Sequence, residues 1–184
     1  MDKNKYRIKA KELLFNISED EVLQLSLEIA KNLSAIISKL NPSHDSVIGG
    51  YAPIQKEAHW FESSFFEKMN LSVPHVCGDK EMDFYSVSLD ELKSGELKIS
   101  LDDKFKIQKV EPSILIIPGL GFDKNLNRLG RGGGFYDCYL KNFKGIKIGV
   151  GFEGQVFDSI PTEEHDRELD YLITEKNTYI RGNK

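Results

Sequence analysis

The run Ile114-Leu115-Ile116-Ile117-Pro118-Gly119-Leu120-Gly121-Phe122-Asp123, with Asn127-Arg128-Leu129-Gly130-Arg131-Gly132-Gly133-Gly134-Phe135-Tyr136-Asp137 close behind it, is the most informative stretch of the chain. An unbroken apolar run that ends on Pro and Gly reads as a strand buried on both faces, the kind that fills parallel sheets. Six glycines then fall within sixteen residues, beside two arginines and an aspartate. Glycine lets backbone N–H groups approach a ligand closely, arginine pairs with phosphate oxygens, and a carboxylate can hold a divalent cation. These are the parts of a nucleotide-phosphate site. The pattern is neither a Walker P-loop, which needs Gly-Lys-Ser/Thr, nor the spaced glycines of a dinucleotide fingerprint.

Upstream, Tyr6, Ala10 and Leu13/Leu14 recur at helical spacing over residues 3–16, which puts Lys3, Arg7 and Lys11 on one face. Ser18 and Glu21 form a capping-box pattern ahead of a second helix, whose apolar stripe runs from Val22 to Leu40 before Asn41-Pro42 stops it. Strands are expected at 47–51, 71–76 and 82–87, with a helix at 57–69 between the first two. Ser88 and Glu91 repeat the capping box before a short helix near Leu92. Residues 93–109 are polar and without clear period. Beyond the glycine loop come a helix through Leu140, a strand at 146–152 and a last strand at 171–174.

This alternation predicts an α/β fold: a single domain over 1–184 with three layers, a mainly parallel sheet and helices on both faces, Rossmann-like. In such sheets ligands collect at the carboxyl ends of the strands, so the loop after Ile117 opens into the active crevice. With 184 residues and 40% hydrophobic content, one substantial core is the expectation.

The charge balance of 25 basic against 29 acidic residues gives −4, which argues against nucleic acid or anionic membrane as a partner. Cys77 and Cys138 stand far apart, outside any zinc or redox spacing. No apolar signal core or spanning segment is visible, so a monomer in the reducing cytoplasm is expected. Other carboxylates enter the candidate site by position. Glu57 follows the strand at 47–51 and can accept paired hydrogen bonds from an amino-substituted heterocycle, while Asp166 lies in a late loop after His165.

Taken together, these residues resemble the 5-formyltetrahydrofolate cyclo-ligase family, also called methenyltetrahydrofolate synthetase. The likeness is carried by 118–122 and 128–137, and supported by the Lys3/Arg7 spacing, the 51–57 segment, Pro161, His165-Asp166, Asp170 and Thr174-Glu175. It implies an ATP- and magnesium-dependent conversion of 5-formyltetrahydrofolate to 5,10-methenyltetrahydrofolate with release of ADP and phosphate. The formyl oxygen would be phosphorylated and N10 would close the ring. By this resemblance Lys3, Arg7, Arg128, Gly130, Arg131, Gly132, Gly133, Gly134, Phe135 and Tyr136 would bind ATP, with Arg131 and Tyr136 catalytic. Asp137 and Asp166 would bind Mg2+, and Tyr51 and Glu57 the substrate, with Glu57 on the pterin.

The chain departs from the family pattern in three places. Phe135 stands first where a tyrosine pair is common, Gly133 where some relatives carry lysine, and Glu96-Leu97-Lys98-Ile99-Ser100 where a Gly-Ile-x-Glu-Pro-like run is usual. The residues are also compatible with a non-catalytic nucleotide- or folate-binding regulator, or with an ATP-dependent enzyme of the same fold acting on another amide or carboxylate.

Overall fold

A computed structural model describes residues 2–97, 108–164 and 166–182, and these form an α/β fold. Helix α1 (Lys3–Phe15) starts where the Asp2 side chain accepts from Asn4 N. Helix α2 (Glu19–Leu40) opens on Ser18 with both hydrogen bonds of the capping box made to Glu21. It closes on Asn41, whose left-handed backbone (φ 48°) ends the helix one residue before Pro42. Its buried residues Val22, Ile29, Leu33, Ile36 and Ile37 keep the three-to-four spacing that a sheet-packing face needs.

The strands are β1 (Val47–Gly49), β2 (Asn70–Val76), β3 (Met82–Val87), β4 (Lys109–Val110), β5 (Ile114–Pro118), β6 (Gly121–Asp123), β7 (Arg128–Leu129), β8 (Ile146–Val150), β9 (Val156–Phe157), β10 (Tyr171–Ile173) and β11 (Thr178–Ile180). Eight of them form one sheet in the order β11-β10-β8-β5-β1-β2-β3-β4. The inner run from β10 to β2 is parallel throughout, and β3, β4 and β11 add antiparallel edges. The sheet is therefore mainly parallel, with the β5 run at its centre. Alternation along β5 divides the core: Ile114 and Ile116 face α2 with Ile48 and Ile148, while Leu115 and Ile117 face the other way with Phe84, Phe122 and Leu172.

Helix α3 (Leu89–Ser94) is the short capped helix expected near Leu92, and α4 (Phe135–Leu140) covers the second face through Leu140. Helices thus lie on both faces, although the second layer is completed largely by Phe122, Leu126 and Leu169.

Three expectations are corrected. The strand at 171–174 is not the last, since β11 follows and pairs antiparallel with β10. The helix at 57–69 is only a 3-10 turn at Ser64–Lys68, because Ala58, Trp60 and Phe61 go into the core and Trp60 stacks edge-on against Phe61 and Phe66. Burying a large apolar side chain stabilises by roughly 1.5–3 kcal/mol, against a net of roughly 0.5–1.5 for a typical hydrogen bond, so burial decides the path. The glycine-rich stretch is also more than a loop: β6 and β7 pair within it and join β9 as a second, three-stranded sheet. The polar 93–109 stretch falls mostly outside the described residues.

Candidate active site

Helix α1 packs against β6 and the 3-10 turn Glu153–Gln155, so it lies over the carboxyl ends of β5 and β8. Its Arg7 donates from Nε to Gly130 O at 3.0 Å, and its Lys3 reaches Asp166, with Nζ 2.7 Å from Oδ2. The helix face drawn from the sequence thus does meet the glycine loop. Asp123, fully buried, holds the hairpin below: its Oδ1 accepts from Asn125 N and Asn127 N, and its Oδ2 from Ile160 N, all at 3.0 Å. That carboxylate ties the loop to the segment leading to Asp166.

Within the loop, Gly132 (φ 108°) and Gly134 (φ 74°) adopt backbone conformations that L side chains rarely take, so no larger residue would hold this path without strain. Arg128, on β7, is buried beneath it. Its Nη2 donates to Asp137 Oδ1 at 2.6 Å, its Nη1 donates to Pro118 O at 3.2 Å, and its guanidinium lies 5.3 Å from the Tyr136 ring centre. Two buried polar atoms here, Arg128 Nε and the Tyr136 hydroxyl, have no hydrogen-bond partner among the described residues. Burial pushes the Tyr136 hydroxyl well above its ordinary pKa, as does the Glu57 charge, against the opposing pull of Arg128. The hydroxyl therefore stays protonated and able to donate.

Two cavities open on this wall. One, of about 410 Å³, is polar and takes Lys3, Arg7, Asp137 and Asp166 into its lining. The other, of about 360 Å³, is mostly apolar, with Pro74, Val76, Met82 and Phe135 on its sides and Glu57, Arg131, Gly133 and Tyr136 around them. Arg128, Gly130, Gly132, Gly134 and Asp137 line both, so the glycine loop is the partition between them.

The structure gathers nearly all the expected residues, with three differences. Tyr51 lines neither cavity: it is buried, its hydroxyl donates to Ala58 O at 2.8 Å, and its own carbonyl accepts from Trp60 Nε1 at 2.8 Å, closing the loop that carries Glu57. Burial raises its pKa well above the ordinary value, with the charge of Glu57 adding to the shift. Arg131 lines the apolar cavity and not the polar one, because its guanidinium is taken by Glu57 Oε1 (Nη2 at 2.8 Å, Nε at 3.1 Å) and by Gln55 Oε1 (Nη1 at 3.1 Å). Arg128 and Asp137 pair with each other. His165, and the divergent positions 98–100, lie outside the described residues. Sequence reading missed Pro74, Val76 and Met82. The two-residue spacing of Pro74 and Val76 showed that they share a strand face, but nothing local said that this face borders the site. No described helix is long and apolar enough to cross a membrane.

Residues 1–175 match the family model described as the 5-formyltetrahydrofolate cyclo-ligase family. Among curated proteins, a 5-formyltetrahydrofolate cyclo-ligase of Mus musculus is 43% identical over 68 residues, 34% of this chain and 34% of its own. The chain thus spans about a third of that relative's length in the match. Two solved structures superpose over nearly everything. A 5,10-methenyltetrahydrofolate synthetase of Mycoplasma pneumoniae has a TM-score of 0.76 and 26% identity, covering 95% of this chain and 99% of that one. The Aquifex aeolicus 5,10-methenyltetrahydrofolate synthetase has a TM-score of 0.77 and 29% identity, covering 100% and 95%.

Proposed function

The chain belongs to the 5-formyltetrahydrofolate cyclo-ligase family, and from that premise we propose that it converts 5-formyltetrahydrofolate to 5,10-methenyltetrahydrofolate with hydrolysis of ATP to ADP and phosphate, working as one domain and as a cytoplasmic monomer. The observation that carries this reading is the pair of cavities sharing one glycine wall. One is lined with cations and carboxylates suited to a polyphosphate, and the other is apolar with a few aimed polar groups, suited to a fused heterocycle. A phosphoryl donor on one side and its acceptor on the other would meet at that wall.

The chemistry needs such a meeting. A formamide oxygen leaves poorly, so the γ-phosphoryl group passes to it and ADP departs. N10 then bonds to the formyl carbon, gives up its proton, and phosphate leaves with the former formyl oxygen. Catalysis of the first step rests on positioning and charge neutralisation. Lys3, Arg7 and Arg128 hold the phosphates, and the buried Tyr136 hydroxyl and Arg128 Nε supply donors that have no partner among the described residues. Glu57 meets the pterin, while Pro74, Val76, Met82 and Phe135 exclude water from the ring.

Magnesium would be held by Asp137 and Asp166 together with phosphate oxygens, and when bound it neutralises phosphate charge. The residues fit: this ion is commonly held by one or two carboxylates plus substrate phosphates, and both carboxylates line the polar cavity. The test is direct. Mixing the protein with 5-formyltetrahydrofolate and Mg-ATP should produce the methenyl chromophore, and its absence with both ligands bound would assign the fold to a regulator instead.

A further inference from the structure

The hydrogen bonds of Glu57 leave too little room for a pterin. Its Oε1 accepts from both Nε and Nη2 of Arg131, and its Oε2 accepts from Ile54 N at 3.1 Å. A carboxylate offers about four lone-pair sites, so about one remains, on Oε2. The amide and amino edge of a pterin presents two adjacent N–H donors and needs two acceptors side by side. Water has little access to make up the difference, since the Glu57 side chain is 9% exposed while that of Arg131 is 35% exposed. On the other side of the pair, every nitrogen of the Arg131 guanidinium donates to the Gln55–Glu57 turn, which holds it out of the polar cavity.

We propose that Arg131 exchanges partners when the substrates bind: the pterin edge takes the Glu57 carboxylate, and the guanidinium it releases turns to the polyphosphate across the glycine loop. This rests on the folate and ATP reading above. The exchange makes Arg131 the residue that couples the two ligands. Whichever binds first breaks the pair, and the second finds its partner already released. By linkage the effect is reciprocal, so each ligand tightens the other by the same factor. Couplings between sites run at roughly 5–150-fold, and the partial exposure of Arg131 places this one toward the lower end, on the order of 5–20-fold.

Calorimetric titration of the full chain with a magnesium complex of a non-hydrolysable ATP analogue, with and without saturating 5-formyltetrahydrofolate, measures the factor. The expected result is a 5–20-fold gain for the wild type, matched when the order of addition is reversed. In Arg131→Ala the factor falls to one, and folate alone binds at least as tightly as to the wild type, since its carboxylate is no longer occupied. Should Arg131→Ala fail to fold, Glu57→Gln tests the pair from the other side: the analogue alone should bind more tightly than to the wild type. A wild-type factor of one, or the same factor in Arg131→Ala, overturns the exchange while leaving the cyclo-ligase reading intact if the chromophore still forms. Failure to bind 5-formyltetrahydrofolate at all would remove both.

Discussion

Lys3 Nζ lies 2.7 Å from Asp166 Oδ2, fastening the first turn of α1 to a loop 163 residues further along the chain. The two side chains are only 15% and 14% exposed, and Glu163 Oε1 stands 3.3 Å from the same ammonium. The pair closes one side of the polar cavity and brings a cation and a carboxylate together where a magnesium-bound polyphosphate would need both.

Lys3→Met should therefore raise the KM for ATP on the order of tenfold or more, since hydrogen bonds to charged groups contribute about 1.5–3 kcal/mol. Asp166→Asn should raise the magnesium concentration needed for half-maximal rate. Steady-state titrations of ATP and magnesium separate these effects from bracing alone, which would lower the melting temperature of both variants and leave both titrations unchanged.

Tyr136→Phe should move stability and activity in opposite directions. The buried hydroxyl has no partner among the described residues, and an unsatisfied buried polar group costs about 1–3 kcal/mol, so its removal should be neutral or stabilising without ligand. If the hydroxyl serves substrate, kcat/KM should fall. A lower melting temperature with unchanged kinetics would show that it has a structural partner instead.

Local chemistry made part of this molecule legible. The capping boxes at Ser18 and Ser88, the stop at Asn41-Pro42 and the buried run of β5 are written within a few residues of where they act, and each formed as expected. The glycine-rich stretch stood out by composition, but the pairing of β6 with β7 inside it did not. What stayed hidden depends on partners distant in the chain. The path of 57–63 is set by Trp60 donating to Tyr51 O and by Ser26 Oγ accepting from His59 N. The Arg131–Glu57 pair spans 74 residues. Neither leaves a period or a motif.

Tyr51→Phe tests the first of those hidden contacts. Losing the hydroxyl leaves Ala58 O without its donor in a buried setting, which should cost about 1–3 kcal/mol and loosen the loop that presents Glu57. The KM for 5-formyltetrahydrofolate should rise while ATP affinity measured alone stays near the wild-type value. A defect confined to ATP would show that Tyr51 acts elsewhere.

Glu153 should make the stability curve bend at both ends of the pH range. Burial opposes its ionisation, but hydrogen bonds from Thr174, Tyr179 and Asn177 outweigh that and hold its pKa below the ordinary 4.5. A folded-state pKa that is depressed gives stability present above the unfolded value and lost as pH falls through the folded one. Tyr179 is raised to about 12, chiefly by burial and then by its bond to Glu153, so its share is present below pH 10 and lost as pH rises toward 12. Urea unfolding across pH should show both losses in the wild type. In Glu153→Gln the acid-side loss should shrink, and an unchanged acid limb would mean that these hydrogen bonds contribute nothing net.

Asp137 carries two tasks, and one variant can separate them. It neutralises Arg128, whose side chain is 6% exposed, and in the proposed reaction it also helps to hold magnesium. Removing one partner of a buried ion pair costs about 3–5 kcal/mol, and because Asp137 itself is 24% exposed, Asp137→Asn should fall at or below the lower end of that range. That loss would appear in unfolding without ligand. The second task appears only in the stabilisation added by nucleotide, which grows with ligand concentration relative to Kd. For the wild type, ATP with magnesium should raise the melting temperature more than ATP with EDTA. For Asp137→Asn the two shifts should converge, because the amide is a poorer ligand for the ion and leaves Arg128 free to meet phosphate unopposed. Retention of the full magnesium-dependent increment in a variant that has lost intrinsic stability would confine Asp137 to pairing with Arg128 and remove it from the metal site.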